Sequence, residues 1–97
     1  MIAEPQPWNK SVTVWEFHVA EAQRGQGLGR RLMERVIEQA RRDKFRIIVC
    51  ETQTTNAPAI HIYRRLGFQI EGVDISFYSN HDYPDGEMAV FMKRRLK

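Results

Sequence analysis

The residues best suited to chemistry are Arg24-Gly25-Gln26-Gly27-Leu28-Gly29. Three glycines in five residues let a backbone turn tightly and approach a ligand closely. If a helix starts here, its first N–H groups point outward and form an anion site. Arg24 and Arg30 would add charge-assisted hydrogen bonds to phosphate oxygens. Two familiar phosphate loops fail on spacing. A P-loop needs Gly-x4-Gly-Lys-Ser/Thr, and no Lys-Ser/Thr follows here. A dinucleotide fingerprint needs Gly-x-Gly-x-x-Gly, whereas this loop reads Gly-x-Gly-x-Gly. The same glycines also suit a tight strand-to-helix connection that binds nothing.

Other titratable groups are scattered. Glu16 and His18 share the face of an apolar stretch that also carries Val12 and Val14. His18, His61 and His81 lie far apart and lack metal-ligand spacing, so no metal site is expected. A single cysteine, Cys50, excludes an internal disulfide framework, suits a reducing cytoplasm and reads as a buried packing residue.

These groups need elements to position them. Residues 12–19 (VTVWEFHV) are β-branched and aromatic, which predicts a strand. From Leu28 the apolar spacing turns helical, with Leu28, Leu32, Met33, Val36, Ile37 and Ala40 on one stripe, fading near 42–44. The glycine loop thus joins a strand to a helix. Residues 46–52 form a nearly continuous apolar run, suited to a strand buried on both faces. Asn56 offers N-cap chemistry, Pro58 suits an early helical position and Gly67 a C-terminal stop, so a short helix is expected over 57–66. Residues 68–78 read as a strand interrupted by Gly72, 79–86 as a polar turn and 87–93 as a last strand. The predicted order is β-α-β-α-β-β, an α/β (α+β) arrangement.

Composition bounds the function. The 97 residues suffice for one small domain, and 42% hydrophobic with 28% charged residues is ordinary for a globular protein. No apolar run approaches the ~20 residues of a membrane span, and the start, MIAEPQPWNK, has no signal-type apolar stretch. A cytoplasmic protein without a membrane partner is expected. The net charge of +3 permits an anionic ligand without implying nucleic acid. Arg30, Arg31, Arg35, Arg41 and Arg42 could form a nucleic-acid face, but Glu34 and Glu38 dilute it, so no nucleic-acid partner is expected.

Two blocks carry a resemblance. Arg24-x-x-Gly27-x-Gly29 resembles the Arg/Gln-x-x-Gly-x-Gly/Ala signature of GNAT acetyltransferases, and Asn56-Ala-Pro-Ala-Ile-His-Ile-Tyr63-Arg-Arg-Leu-Gly67-Phe68 resembles that family's Asn-x-x-Ala-x-x-x-Tyr-x-x-x-Gly-Phe segment. Glu51-Thr52-Gln53 and the Trp8-Asn9 turn are similar to streptothricin acetyltransferases within the family. Those relatives carry an acidic pair on the strand where Phe17 follows Glu16 here.

The resemblance implies a partial GNAT fold, a mixed sheet flanked by two helices, using acetyl-CoA to acetylate a primary amine of a small molecule or peptide. Such an amine, with a pKa near 10, is only about 0.1% neutral at pH 7. By resemblance, Glu16 accepts its proton, directly or through water. The amides of Arg24, Gly25, Gln26, Gly27, Leu28, Gly29 and Arg30 hold the pyrophosphate. Backbone groups around Phe17 and Val19 bind the pantetheine and polarise the thioester carbonyl. Asn56 hydrogen-bonds the pantetheine arm, and Tyr63 protonates the departing thiolate. Glu16 could equally be a salt-bridged strand carboxylate, Tyr63 a packed core ring and Asn56 a simple N-cap.

The resemblance further implies one truncated domain over 1–97, lacking the usual N-terminal strands and helices. The open edge and apolar face this leaves favour a homodimer. A non-catalytic module that binds coenzyme A is the competing expectation.

Overall fold

Residues 2–6 and 11–15 form a hairpin of strands β1 (Ile2–Gln6) and β2 (Ser11–Trp15), the second rich in β-branched residues. They pair antiparallel from Ile2↔Trp15 to Gln6↔Ser11. A computed structural model describes residues 2–15 and 28–96. Its remaining elements are α1 (Leu28–Arg42), β3 (Ile47–Gln53), α2 (Ala57–Arg65), β4 (Gln69–Asp74) and β5 (Ala89–Arg95). The five strands lie in the order β1-β2-β3-β5-β4, in a mixed α+β fold with two helices. The expected order holds, with β1 added at its front. Pro5 and the turn residues beside it hid that strand. Proline has no N–H to donate, but a sheet-edge strand tolerates the loss.

The chain divides into two compact units, residues 1–48 with 95–97, and residues 49–94. In the first unit, Val12 and Val14 of β2 are buried, as are Met33, Ile37 and Ala40 of α1, with Ile47, Ile48 and Leu96. Three members of the α1 stripe read from the sequence, Met33, Ile37 and Ala40, are therefore core, whereas Leu32 and Val36 are only half-buried. The hairpin turn is locked by the Asn9 side chain, which accepts from the Ser11 hydroxyl at 2.6 Å, while the Arg46 Nε–H donates to the Asn9 carbonyl at 2.7 Å. Helix α1 ends in a Schellman motif. The Lys44 N–H donates to the Arg41 carbonyl and the Phe45 N–H to the Ala40 carbonyl, at 3.1 and 2.9 Å. Lys44 takes the left-handed position with φ 63°.

In the second unit, β4 pairs antiparallel with β5, and the register shifts between Ile70 and Gly72. This irregularity is the interruption that Gly72 signalled in the sequence. Strand β4 ends at Asp74, four residues before the expected end, because Ile75–Tyr78 turn away from the ladder. Cys50, Tyr63, Phe68, Ala89, Val90 and Met92 form the buried set. Residues 79–86 are the expected polar turn, organised by the buried carboxylate of Asp82. That carboxylate accepts from the Tyr78 N–H at 2.8 Å and the Ser79 hydroxyl at 2.7 Å. Burial alone would raise the Asp82 pKa, but these hydrogen bonds outweigh it and hold the carboxyl below its ordinary range.

Candidate functional site

Of the predicted site residues, Glu16, Phe17, Val19, Arg24, Gly25, Gln26 and Gly27 lie outside the described residues. Leu28 and Gly29 form the first two positions of α1, where a cofactor phosphate was expected. The first turn of α1 carries no carboxylate and its last turn carries Arg41 and Arg42. The macrodipole therefore meets no competing acid at the N-terminus, and an anion there is compatible with the charges present. Arg30 is held by Glu34 one turn on, at 2.9 Å, and both side chains are exposed. Such a surface pair contributes only about 0.3–0.5 kcal/mol, so the guanidinium can exchange Glu34 for a phosphate at little cost.

The second unit holds Asn56 and Tyr63 on one short helix. Asn56 caps α2, its Oδ1 accepting from the Ala59 N–H at 3.2 Å, with Pro58 in the first turn. The cap uses the carboxamide oxygen; the amide NH2 carries two further donors. Seven residues on, Tyr63 occupies the position that closes the helix. Its carbonyl accepts from the Phe68 N–H at 2.9 Å, and the Gly67 N–H donates to the Arg64 carbonyl at 3.0 Å. Gly67 sits at φ 93° and the Tyr63 and Phe68 rings meet at 5.8 Å between centroids. The segment Tyr-x-x-x-Gly-Phe thus encodes a Schellman closure with its accompanying hydrophobic contact. One function of the motif is to fix the Tyr63 ring. Arg94 completes the end, its Nη1 donating to the Leu66 carbonyl at 2.6 Å.

Burial, followed by the negative fields of Cys50 and Glu51, raises the Tyr63 pKa, so its phenol keeps its proton at neutral pH. A protonated, fixed phenol is what a proton donor requires. Next to it, burial alone pushes the Cys50 thiol up to about 12, which makes this cysteine a packing group.

Two side chains not singled out by their own chemistry meet in the same unit. The Tyr78 hydroxyl donates to Glu51 Oε1, across 27 positions of sequence. No local spacing could have signalled that pair. Among the described residues, no group of acidic, His or Cys side chains could hold a metal ion, and no helix is long and apolar enough to cross a membrane. The first unit contains an apolar cleft of about 760 Å³ whose walls include Ala3, Pro5, Val12, Leu32, Val36 and Phe45. None of the predicted site residues lines it.

Comparison with known proteins gives these features a setting. A family model for the acetyltransferase (GNAT) family matches residues 1–68. Streptothricin acetyltransferase of Streptomyces lavendulae is 39% identical over 85 residues, covering 88% of this chain and 44% of that protein. The crystal structure of nourseothricin acetyltransferase superposes with a TM-score of 0.89 at 38% identity, covering 98% of this chain and 55% of that one. A structure from Bacillus anthracis str. Ames in complex with acetyl coenzyme A superposes with a TM-score of 0.85 at 25% identity, covering 98% and 53%. The chain spans about half the length of the curated relatives that it matches over most of its own length. Both motif blocks, the helix that each one opens or closes and the match across most of the sequence agree: the chain belongs to the GNAT acetyltransferase family.

Proposed function

We propose that this chain is the acetyl-CoA-binding part of an N-acetyltransferase acting on a primary amine by direct transfer. The observation that carries this reading is the Asn56–Tyr63 helix, whose N-cap and Schellman closure hold a protonated phenol beside Cys50 and Glu51. Acetyl-CoA supplies the acetyl group as an activated thioester. The amides of residues 24–30 and the N-terminus of α1 bind its pyrophosphate, with Arg24 and Arg30 neutralising charge. The backbone around Phe17 and Val19 and the carboxamide of Asn56 orient the pantetheine. Glu16 takes the proton that the amine must lose. Tyr63 returns a proton to the sulfur as it leaves.

Among primary amines, the relatives favour a small molecule of the antibiotic type over a peptide, since the similarity is to streptothricin and nourseothricin acetyltransferases. We further infer a single domain over 1–97, a cytoplasmic site of action and a homodimer. In that dimer a second copy would cover the apolar cleft of the first unit and a sheet edge.

The second reading is a coenzyme A-binding or oligomerising module without turnover. It draws on the apolar cleft of the first unit, a surface against which another chain could pack. Calorimetry and an acetylation assay over a panel of amines separate the two. The enzyme reading expects heat on adding acetyl-CoA, lost in Arg24→Ala/Gly27→Val. It also expects amine acetylation that falls by about 10²–10⁴ in Glu16→Gln, the usual range for a missing general base. Binding with no acetylated amine leaves the module, and no heat with the parent protein removes both readings.

A further inference from the structure

The stretch after β4 presents two adjacent aromatic rings to the surface. Phe77 and Tyr78 are each 42% exposed. They pack edge-to-face at 5.3 Å between centroids, and Phe77 also meets Phe91 of β5 edge-to-face at 5.5 Å. The pairs are therefore fixed in geometry while keeping open surface. Two carboxylates organise this corner. Asp82 grips the Tyr78 backbone N–H from the loop that follows, and Glu51 of β3 accepts the Tyr78 hydroxyl. Glu87, which accepts from the Thr55 hydroxyl, adds negative charge nearby.

We propose that Phe77, Tyr78 and Glu51 form a seat for an alkylammonium group of the acceptor amine. The inference rests on the reading above that an amine is the acceptor, and it names the groups that recognise that amine. Ring faces attract a cation through their quadrupole, and the methylenes beside the ammonium take up the apolar surface. Glu51 supplies the counter-charge. A carboxylate accepts at about four lone-pair positions, so the single bond from Tyr78 orients it without using up its capacity. The Tyr78 pKa is raised by desolvation first, then by its bond to Glu51 and by the fields of Glu51, Glu87 and Asp82. The carboxylates of Glu51 and Asp82 both bond to Tyr78, so the corner carries negative charge that repels the phosphates of coenzyme A and favours a cationic partner. Asp82 is a positioning residue, acting through the Tyr78 backbone.

The test uses the full chain and two measurements. In the first, a quaternary probe that cannot be acetylated, hexyltrimethylammonium, is titrated while the aromatic NMR signals of Phe77 and Tyr78 are followed. Its uncharged isostere, 2,2-dimethyloctane, serves as the control. Saturable shifts from the cation alone are expected, with affinity falling about tenfold in Glu51→Gln and Phe77→Leu and less in Tyr78→Phe, which keeps its ring. In the second, steady-state acetylation should show KM for the amine raised about tenfold in Glu51→Gln and Phe77→Leu and less in Tyr78→Phe, with KM for acetyl-CoA unchanged. Circular dichroism establishes that each variant is folded. No ring shifts with the cation, equal shifts with the hydrocarbon, or unchanged amine KM in Glu51→Gln and Phe77→Leu overturns the seat. Ring shifts from the cation in a protein that acetylates nothing support the seat and remove the enzyme reading instead.

Discussion

Cys50 is 1% exposed on β3, and burial carries its thiol from 9.0 up to about 12. The unfolded chain gives up this proton near 9, while the folded chain keeps it. Between those values the native state binds more protons than the unfolded one, so stability falls as pH rises from about 9 towards 12. Below 9 the contribution is fully present. Cys50→Ala therefore has two expected effects in urea melts followed across pH. It costs stability at neutral pH through the lost packing, and it flattens the decline above pH 9. An unchanged alkaline slope would mean that the thiol titrates normally and is not shielded. The same shielding predicts slow alkylation of the native protein by iodoacetamide at pH 8, with rapid reaction once denatured. Tyr63 shares this environment, and for the same reason its phenol keeps its proton throughout the neutral range.

Helix ends show how far the sequence could be read at the level of elements. Both helices close through Schellman motifs, but only one announces it. Gly67 provides the left-handed residue after α2, and the sequence placed that stop correctly. After α1 the same role falls to Lys44, a residue with no signal for it, so the end of that helix was legible only through fading apolar spacing. Strand β1 was missed for a related reason. Pro5 argues against a strand locally, and only its place at the sheet edge makes it acceptable. An L-residue in the left-handed region costs roughly 1–2 kcal/mol, part of which glycine returns through its freer unfolded state. Lys44→Gly should then stabilise the protein by about 0.5–1 kcal/mol in a urea melt. Gly67→Ala should destabilise it by about 1 kcal/mol or more, from backbone strain and a Cβ that would come 3.3 Å from the Arg94 guanidinium. Both changes lie outside the proposed binding groups, so the Kd for acetyl-CoA should stay constant in Lys44→Gly. In Gly67→Ala, movement of Tyr63 should also lower acetyl transfer.

For the whole molecule, the proposed cofactor is signalled by two motif blocks that lie far apart in the sequence. The glycine-rich block precedes α1 in the chain, whereas Asn56 caps α2 and Tyr63 lies within it, and neither block alone distinguishes acetyl-CoA from a generic anion. The family resemblance that the two blocks carry made that ligand legible; the Glu51–Tyr78 contact, formed by folding across 27 positions, was not. A ligand that binds the native state and not the unfolded chain stabilises folding. The gain is RT ln(1 + [L]/Kd), about 2.7 kcal/mol at a concentration one hundred times Kd. For a domain near this size, each kcal/mol moves Tm by about 4–8 °C, so a rise on the order of 10–20 °C is expected in a thermal melt with saturating acetyl-CoA. Free phosphate or pyrophosphate would engage the α1 terminus but not the α2 groups, and should produce a smaller shift at matched concentration. Arg24→Ala/Gly27→Val should abolish the response to both anions, while Asn56→Ala should weaken only that to acetyl-CoA after its own loss of helix capping, about 1 kcal/mol, is subtracted. Equal Tm shifts with pyrophosphate and acetyl-CoA, unaffected by Asn56→Ala, would reduce the site to an anion cradle at the start of α1 and take the α2 helix out of cofactor recognition.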